Sequence, residues 1–178
     1  HIGVDTTDLI TQNQKYDTVV FSKRILNEEE QPRIDFGFFN QRSQETNDRI
    51  IQNLRKTLDE CDALIFNQQV PGSLSEDFIE QSNALFDEFT NKIILLDSRH
   101  YGARLGNIYR KTNEIEAVEL AAAAKRSDQP DEVGQYLFEQ SQKPVFITRG
   151  EHGLVAIDQN GAHTILGLHL SAELETVG

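Results

Sequence analysis

Apolar and polar positions follow two different rhythms along this chain, and the change of rhythm divides it. Residues 16–26 (YDTVVFSKRIL) and 33–36 (RIDF) are rich in β-branched and aromatic residues. The polar stretch Asn27-Glu28-Glu29-Glu30-Gln31-Pro32 between them predicts a hairpin. Polar residues alternate through both runs, which predicts one solvated face, as in a flap rather than a core sheet. From residue 43 the period lengthens. Ile50, Ile51, Leu54 and Leu58 recur at helical spacing. Residues 61–67, 92–97 and 144–148 are short apolar runs that predict buried strands.

The segments between these runs read as helices. Ser73 or Ser75 can cap a helix reaching Phe89, with Phe78, Ile79, Leu85, Phe86 and Phe89 on its inner side. A brief strand is expected over 108–112, then helices over 113–124 and 131–140. Residues 154–158 and 162–166 flank Gln159-Asn160-Gly161, and Asn-Gly is a strong hairpin signal. The expected organisation is a β flap over residues 1–42 and the central part of an α/β domain over 43–178. Strands alternating with helices imply a doubly wound sheet, parallel in its main part. Ligands then lie beyond the carboxyl ends of the strands. Those ends are Asn67, Asp97, Thr112-Asn113 and Thr148-Arg149-Gly150, all polar or glycine.

Composition narrows the partners. Seventeen Lys and Arg stand against 29 Asp and Glu, a formal charge of −12. That field disfavours nucleic acid and anionic membrane as main partners. The one cysteine, Cys61, excludes an intrachain disulfide framework and a Cys-rich zinc site, and suits a reducing compartment. No apolar run approaches the ~18 residues that span a bilayer. The expected location is the cytoplasm. With 178 residues, no Met and an opening His1-Ile2-Gly3, the chain reads as an internal piece of a longer polypeptide, lacking both ends.

Three places carry candidate chemistry. In Thr112-Asn113-Glu114-Ile115-Glu116, Asn113 is placed as an N-cap with Glu116 three residues on, a capping box. The same helix end can attract a phosphate, and a carboxylate one turn in can hold a hydrated magnesium ion. In Phe146-Ile147-Thr148-Arg149-Gly150-Glu151-His152-Gly153, two glycines bracket a turn straight after a strand. Thr148 offers a hydroxyl, Arg149 a phosphate-compatible fork, and Gly150 a close backbone approach; an ordinary tight turn explains the segment equally well. Asp97-Ser98-Arg99-His100 follows a strand and is either a polar loop or a substrate contact. Arg33 and Asp35 on the flap are either surface ion-pair members or substrate ligands. The five His show no metal spacing, so no zinc is assigned.

The order of these elements resembles the ribokinase, or PfkB, family of sugar kinases. The resemblance covers nearly the whole chain. It rests on the β flap, an Asn-x-x-Glu motif at Asn113-Glu114-Ile115-Glu116, a Thr-x-Gly loop at Thr148-Arg149-Gly150, and Glu175-Thr176-Val177-Gly178. The last resembles the opening of the family's Asp-Thr-x-Gly-Ala-Gly-Asp signature. Within the family the chain looks most like the heptose 7-phosphate kinases, on Arg33-Ile34-Asp35-Phe36, Lys111-Thr112-Asn113-Glu114 and residues 145–153. Two departures stand out. Glu175 replaces the usual Asp, and Asn67-Gln68-Gln69-Val70-Pro71-Gly72 stands where heptose kinases carry an Asp-Tyr-Gly-Lys-Gly type loop.

The resemblance implies a ribokinase-like three-layer α/β/α fold with a small β lid. It implies transfer of the γ-phosphate of ATP to a sugar hydroxyl with Mg²⁺. Asn113, Glu114, Ile115, Glu116, Thr148, Arg149, Gly150, Gly153 and Thr176 inherit nucleotide binding, with Glu116 on magnesium through water. Arg33, Asp35, Asp97 and Arg99 are the candidate substrate contacts. Gly178 would open the anion hole, and the base would fall beyond it, so this chain by itself is expected to be inactive. The implied partners are a small sugar substrate, heptose 7-phosphate favoured, and a second copy meeting flap to flap in a homodimer. The rival readings are another sugar kinase of ribokinase or fructokinase type, and a non-catalytic nucleotide- or sugar-binding regulator.

Overall fold

The computed structural model describes residues 3, 5–37, 40–68, 74–98, 101–122 and 129–168. The chain forms two compact units. One comprises residues 1–61 and 69–85, the other residues 62–68 and 86–178.

In the first unit β1 (Val20–Ser22) pairs antiparallel with β4 (Ile34–Phe36), placing Val20 opposite Phe36 and Phe21 opposite Asp35. Between them β2 (Ile25–Leu26) and β3 (Glu29–Glu30) close on Asn27 and Glu28, whose φ angles of 52° and 66° are those of a hairpin turn. The hairpin expected from the sequence is present, but in short pieces. Val20, Phe21, Ile25, Leu26, Ile34 and Phe36 are all exposed, so no packed surface holds a longer ladder in register.

Helix α1 (Gln44–Glu60) starts where Ser43 Oγ accepts the Thr46 N–H at 3.1 Å. Its apolar stripe ends in Leu58, which is fully buried. Helix α2 (Glu76–Glu88) is capped by Ser75, whose Oγ accepts the Phe78 N–H at 3.2 Å. Ser73, the other expected cap, lies outside the described residues.

The second unit holds a six-stranded sheet. Its strands are β5 (Ala63–Gln68), β6 (Ile93–Ser98), β7 (Tyr109–Asn113), β8 (Val145–Thr148), β9 (Leu154–Asp158) and β10 (Gly161–Ile165). They lie in the order β10-β9-β8-β7-β6-β5, with β5 to β8 parallel and the last two antiparallel. Spatial order follows chain order. The reversal that defines a doubly wound sheet is therefore absent among the described strands. Right-handed crossovers advancing in one direction put their helices on one face. Helices α3 (Glu114–Ala122) and α4 (Pro130–Ser141) occupy that face, packing Ala117, Ala121, Val133 and Leu137 on Val145, Ile147, Val155 and Ile157.

The opposite face explains a difference from the sequence reading. The apolar runs predict strands buried on both sides. Burial instead alternates: Ile94 and Leu96 are buried, Leu95 is half-buried, and Ile93 and Ile65 are exposed. No helix among the described residues is long and apolar enough to cross a membrane.

Gly134 lets α4 approach the sheet. A Cβ there would run into Ile157 Cδ1 and lie 3.2 Å from Ile147 Cδ1, both on side chains with no solvent exposure. Overpacking of this kind costs about 1–3 kcal/mol, more than the ~1 kcal/mol that Ala gains over Gly in a helix. We therefore expect Gly134→Ala to lower the melting temperature by a few degrees. An unchanged or raised value in differential scanning calorimetry would contradict this packing.

Candidate functional site

The carboxyl ends of β6, β7 and β8 lie side by side, and their last residues form one polar edge. Asp97 is in register with Lys111, and Asn113 with Thr148. In parallel strands such pairs point to the same face, and residues two apart along a strand do likewise. Asp97, Lys111, Asn113 and Thr148 thus share the face opposite α3 and α4. Lys111 Nζ bridges both Asp97 oxygens at 3.1 and 3.3 Å.

The joint between β7 and α3 is tightly specified. Asn113 Oδ1 accepts the Glu116 N–H at 2.9 Å. Glu116 Oε2 accepts the Asn113 N–H at 3.0 Å and the Thr112 hydroxyl at 3.2 Å. This is the reciprocal capping box expected from the spacing. It uses only half of each side chain. Asn113 Nδ2 and Glu116 Oε1 have no partner among the described residues. A donor and an anionic acceptor are therefore left without a partner among the described residues, both on half-buried side chains at this helix start.

Across the β7–β8 ladder, Thr148 Oγ1 donates to Thr112 O at 3.3 Å, and Arg149 Nε donates to Glu114 Oε1 at 3.1 Å. The turn after β8 is a short 3-10 segment (Gly150–His152), closed by Arg149 N–H to Gly153 O at 2.8 Å. Gly150 has φ +53°, and nothing lies within 4 Å of where a Cβ would be, so its backbone faces open space. Gly153, at φ +87°, packs its backbone against Ile165 O and has no room for a side chain. Arg149, Glu151, His152, Thr164, Leu166 and Gly167 line an open recess of about 340 Å³ beside this turn.

The structure thus brings Asn113, Glu114, Glu116, Thr148, Arg149, Gly150 and Asp97 to one end of one sheet. Gly153 closes the same turn. Ile115 is 73% exposed on the helix. Arg33 and Asp35 lie in the other unit, bound to each other: Arg33 Nε and Nη2 donate to the two Asp35 oxygens at 2.7 and 2.9 Å. Arg99, Thr176 and Gly178 lie outside the described residues.

The sequence reading missed the Lys111–Asp97 and Arg149–Glu114 pairs, which only the parallel register reveals. It also missed Arg110. This residue is buried, donates to Gly102 O at 2.9 Å and Leu105 O at 2.7 Å, and so ties the β6–β7 loop to the sheet. Burial pushes its guanidinium pKa down from the ordinary value. Its alternation with Ile108, the residue before β7, and with Thr112, which puts all three on one face, is the signal that was available.

Solved structures with this arrangement of elements include an apo adenosine kinase from Trypanosoma brucei brucei, with 16% identity and a TM-score of 0.67 over 90% of this chain and 53% of that one. They include a ribokinase from Thermotoga maritima, with 17% identity and a TM-score of 0.57 over 89% of this chain and 51% of that one. The fold is ribokinase-like. A PfkB protein from a Polaromonas species is also similar, with 11% identity and a TM-score of 0.62 over 89% of this chain and 56% of that one. No family model matches the sequence, and no curated protein sequence matches it. The chain spans about half the length of these solved structures.

Within the ribokinase-like fold, the capping box can be tested apart from any ligand. Asn113→Ala removes the side-chain cap and should cost ~1 kcal/mol. Glu116→Gln keeps an oxygen to accept the Asn113 N–H and should cost about half that or less. Urea unfolding of both variants checks the order. A larger loss for Glu116→Gln would mean that its charge, not its acceptor oxygen, holds the helix start.

Proposed function

We propose that this chain carries the nucleotide-binding edge of an ATP-dependent kinase that phosphorylates a hydroxyl of a sugar or sugar phosphate, heptose 7-phosphate favoured. The observation that carries the reading is the half-used capping box: Asn113 Nδ2 and Glu116 Oε1, without partners among the described residues, at the carboxyl edge of a ribokinase-like sheet. The substrate preference rests on the flap and Thr-x-Gly strings that resemble heptose kinases.

The residues present fit a magnesium nucleotide. Among the described residues no three His, Cys, Asp or Glu converge to hold a metal directly. Magnesium commonly keeps its waters and takes one or two carboxylates plus phosphate oxygens, which Glu116 Oε1 suits. When bound, the nucleotide supplies the γ-phosphoryl group and the metal neutralises charge on it. In this reading Asn113 Nδ2 donates to a phosphate oxygen. The N-terminus of α3 adds its favourable dipole. Gly150 admits the ligand to the backbone of the turn. Lys111 and Arg149 are held at the edge by Asp97 and Glu114, so both cations are oriented before an anion arrives.

A protein carrying this chain, given MgATP, should consume ATP fastest with heptose 7-phosphate among heptose 7-phosphate, ribose and fructose 6-phosphate. Glu116→Gln should lower kcat by tenfold or more, on the order of 1.4 kcal/mol in the barrier, while the melting temperature holds. Preference for ribose or fructose 6-phosphate would overturn the substrate assignment. Equal loss of melting temperature and activity would reduce Glu116 to a helix cap.

The flap is proposed to join two copies. Val20, Ile34 and Phe36 share one face of the β1–β4 ladder and are 50%, 58% and 56% exposed, a surface that a two-fold partner would cover. Arg33 lies over the Phe21 ring at 4.7 Å and is paired with Asp35, so the other face is already occupied. Light scattering should find a dimer that Phe36→Asp dissociates. A monomeric wild type, or a dimer indifferent to the substitution, would rule out this interface.

A further inference from the structure

The first unit contains a recess of about 500 Å³ that belongs to none of the chemistry above. Its wall is made by residues 11–15 and the segment leading into α1. Gln12 clamps these two pieces together. Its Nε2 donates to Gln14 O and, at 2.8 Å, to Gln41 O, while its Oε1 accepts the Ser43 N–H at 2.9 Å and the Thr46 hydroxyl at 2.8 Å. Gln41 N–H donates to Lys15 O at 2.8 Å, which holds Lys15 at φ +55°. Such a conformation is costly for a non-glycine residue and persists where the surroundings impose it.

The charge of this wall is opposite to that of the chain. The protein has 29 acidic and 17 basic residues, yet the recess is lined by Lys15, Arg42 and Arg49 against Glu45 alone. Arg42 is held over the Phe78 ring at 4.6 Å. Lys15 and Arg49 have no ionic partner among the described residues. The Ser43 and Thr46 hydroxyls are spent on each other and on Gln12, so recognition falls to the cations. In a chain so rich in carboxylates, unneutralised cations gathered on one concave surface create a local field that draws anions.

We propose that this recess binds a phosphate monoester, the phosphate between Lys15 and Arg49. A monoester carries nearly two negative charges at neutral pH, which suits several separated cations better than a carboxylate does. The volume falls within the ~300–1,000 Å³ range of small-molecule sites, larger than phosphate needs, so a sugar-sized body fits beside it. This site is independent of the nucleotide edge, and its failure would leave that reading untouched.

The test is a ¹⁵N NMR titration of the 178-residue chain at constant ionic strength, first with inorganic phosphate, then with fructose 6-phosphate and with fructose. Both phosphates should give saturable shifts at the amides of residues 11–15 and 41–49, with Kd on the order of 1 mM, and fructose should give none. Lys15→Gln and Arg49→Gln should each weaken binding at least about fivefold, while Arg49→Lys should retain it within about threefold. Lys15 and Arg49 are exposed and have no ionic partner among the described residues, so unchanged spectra elsewhere will confirm that the variants are folded. Shifts that do not saturate, that chloride reproduces, or that survive loss of both cations would overturn the proposal.

Discussion

The reciprocal bond between Asn113 and Glu116 is the constraint on which the second unit turns. It ends β7 at Asn113 and starts α3 at the very next residue, Glu114, with no loop between them. That leaves no freedom in where the helix begins relative to the sheet edge. The crossover through α3 and α4 then returns to β8 in register, and Thr148 arrives beside Asn113. A slack joint here would blur every distance at the edge. The same pair is what chemistry would use. A capping box needs one oxygen of the amide and one of the carboxylate, and leaves the other half of each group unspent. On the proposed reading, stability and ligand binding would therefore not compete for the same atoms.

Charge at the edge follows a similar economy. Lys111 and Arg149 are each tethered to a carboxylate that is itself partly exposed, with side-chain exposures of 29% for Asp97 and 44% for Glu114. Ion pairs this open contribute little to stability, ~0–1 kcal/mol. Their effect is to fix where two long, mobile cations stand. Arg110 acts one layer below, on the helix-bearing face. It anchors the β6–β7 loop by two carbonyls, while its Nη1 is buried without a partner among the described residues. A loop held by a buried cation is a costly arrangement, and it fixes the chain between β6 and β7 at Gly102 and Leu105.

Much of this was legible from residue order. Local signals were strong where one residue type answers one need: Ser75 as a cap, Gln159-Asn160 leading into Gly161 as the β9–β10 turn, and Asn113 with Glu116 as a box; the Ser43 cap was not read. Sheet order was not legible, because periodicity fixes which residues face inward but not which strand lies beside which. Burial was overestimated for the same reason. Ile65 and Ile93 sit in apolar runs that read as doubly covered, yet both face solvent. Pairs that form across strands, such as Lys111 with Asp97, are 14 residues apart and leave no local trace. The Gln12 clamp, 31 residues from Ser43, was invisible for the same reason.

The central claim is that the free halves of Asn113 and Glu116 receive a magnesium nucleotide. The most direct measurement is a ¹⁵N NMR titration of the chain with MgADP, read against the same titration of Asn113→Ala. The account predicts saturable shifts concentrated in residues 112–116 and 148–153, weakened by tenfold or more in the variant, on the order of 1.4 kcal/mol. Saturable shifts centred elsewhere, or an affinity that Asn113→Ala leaves unchanged, would contradict it.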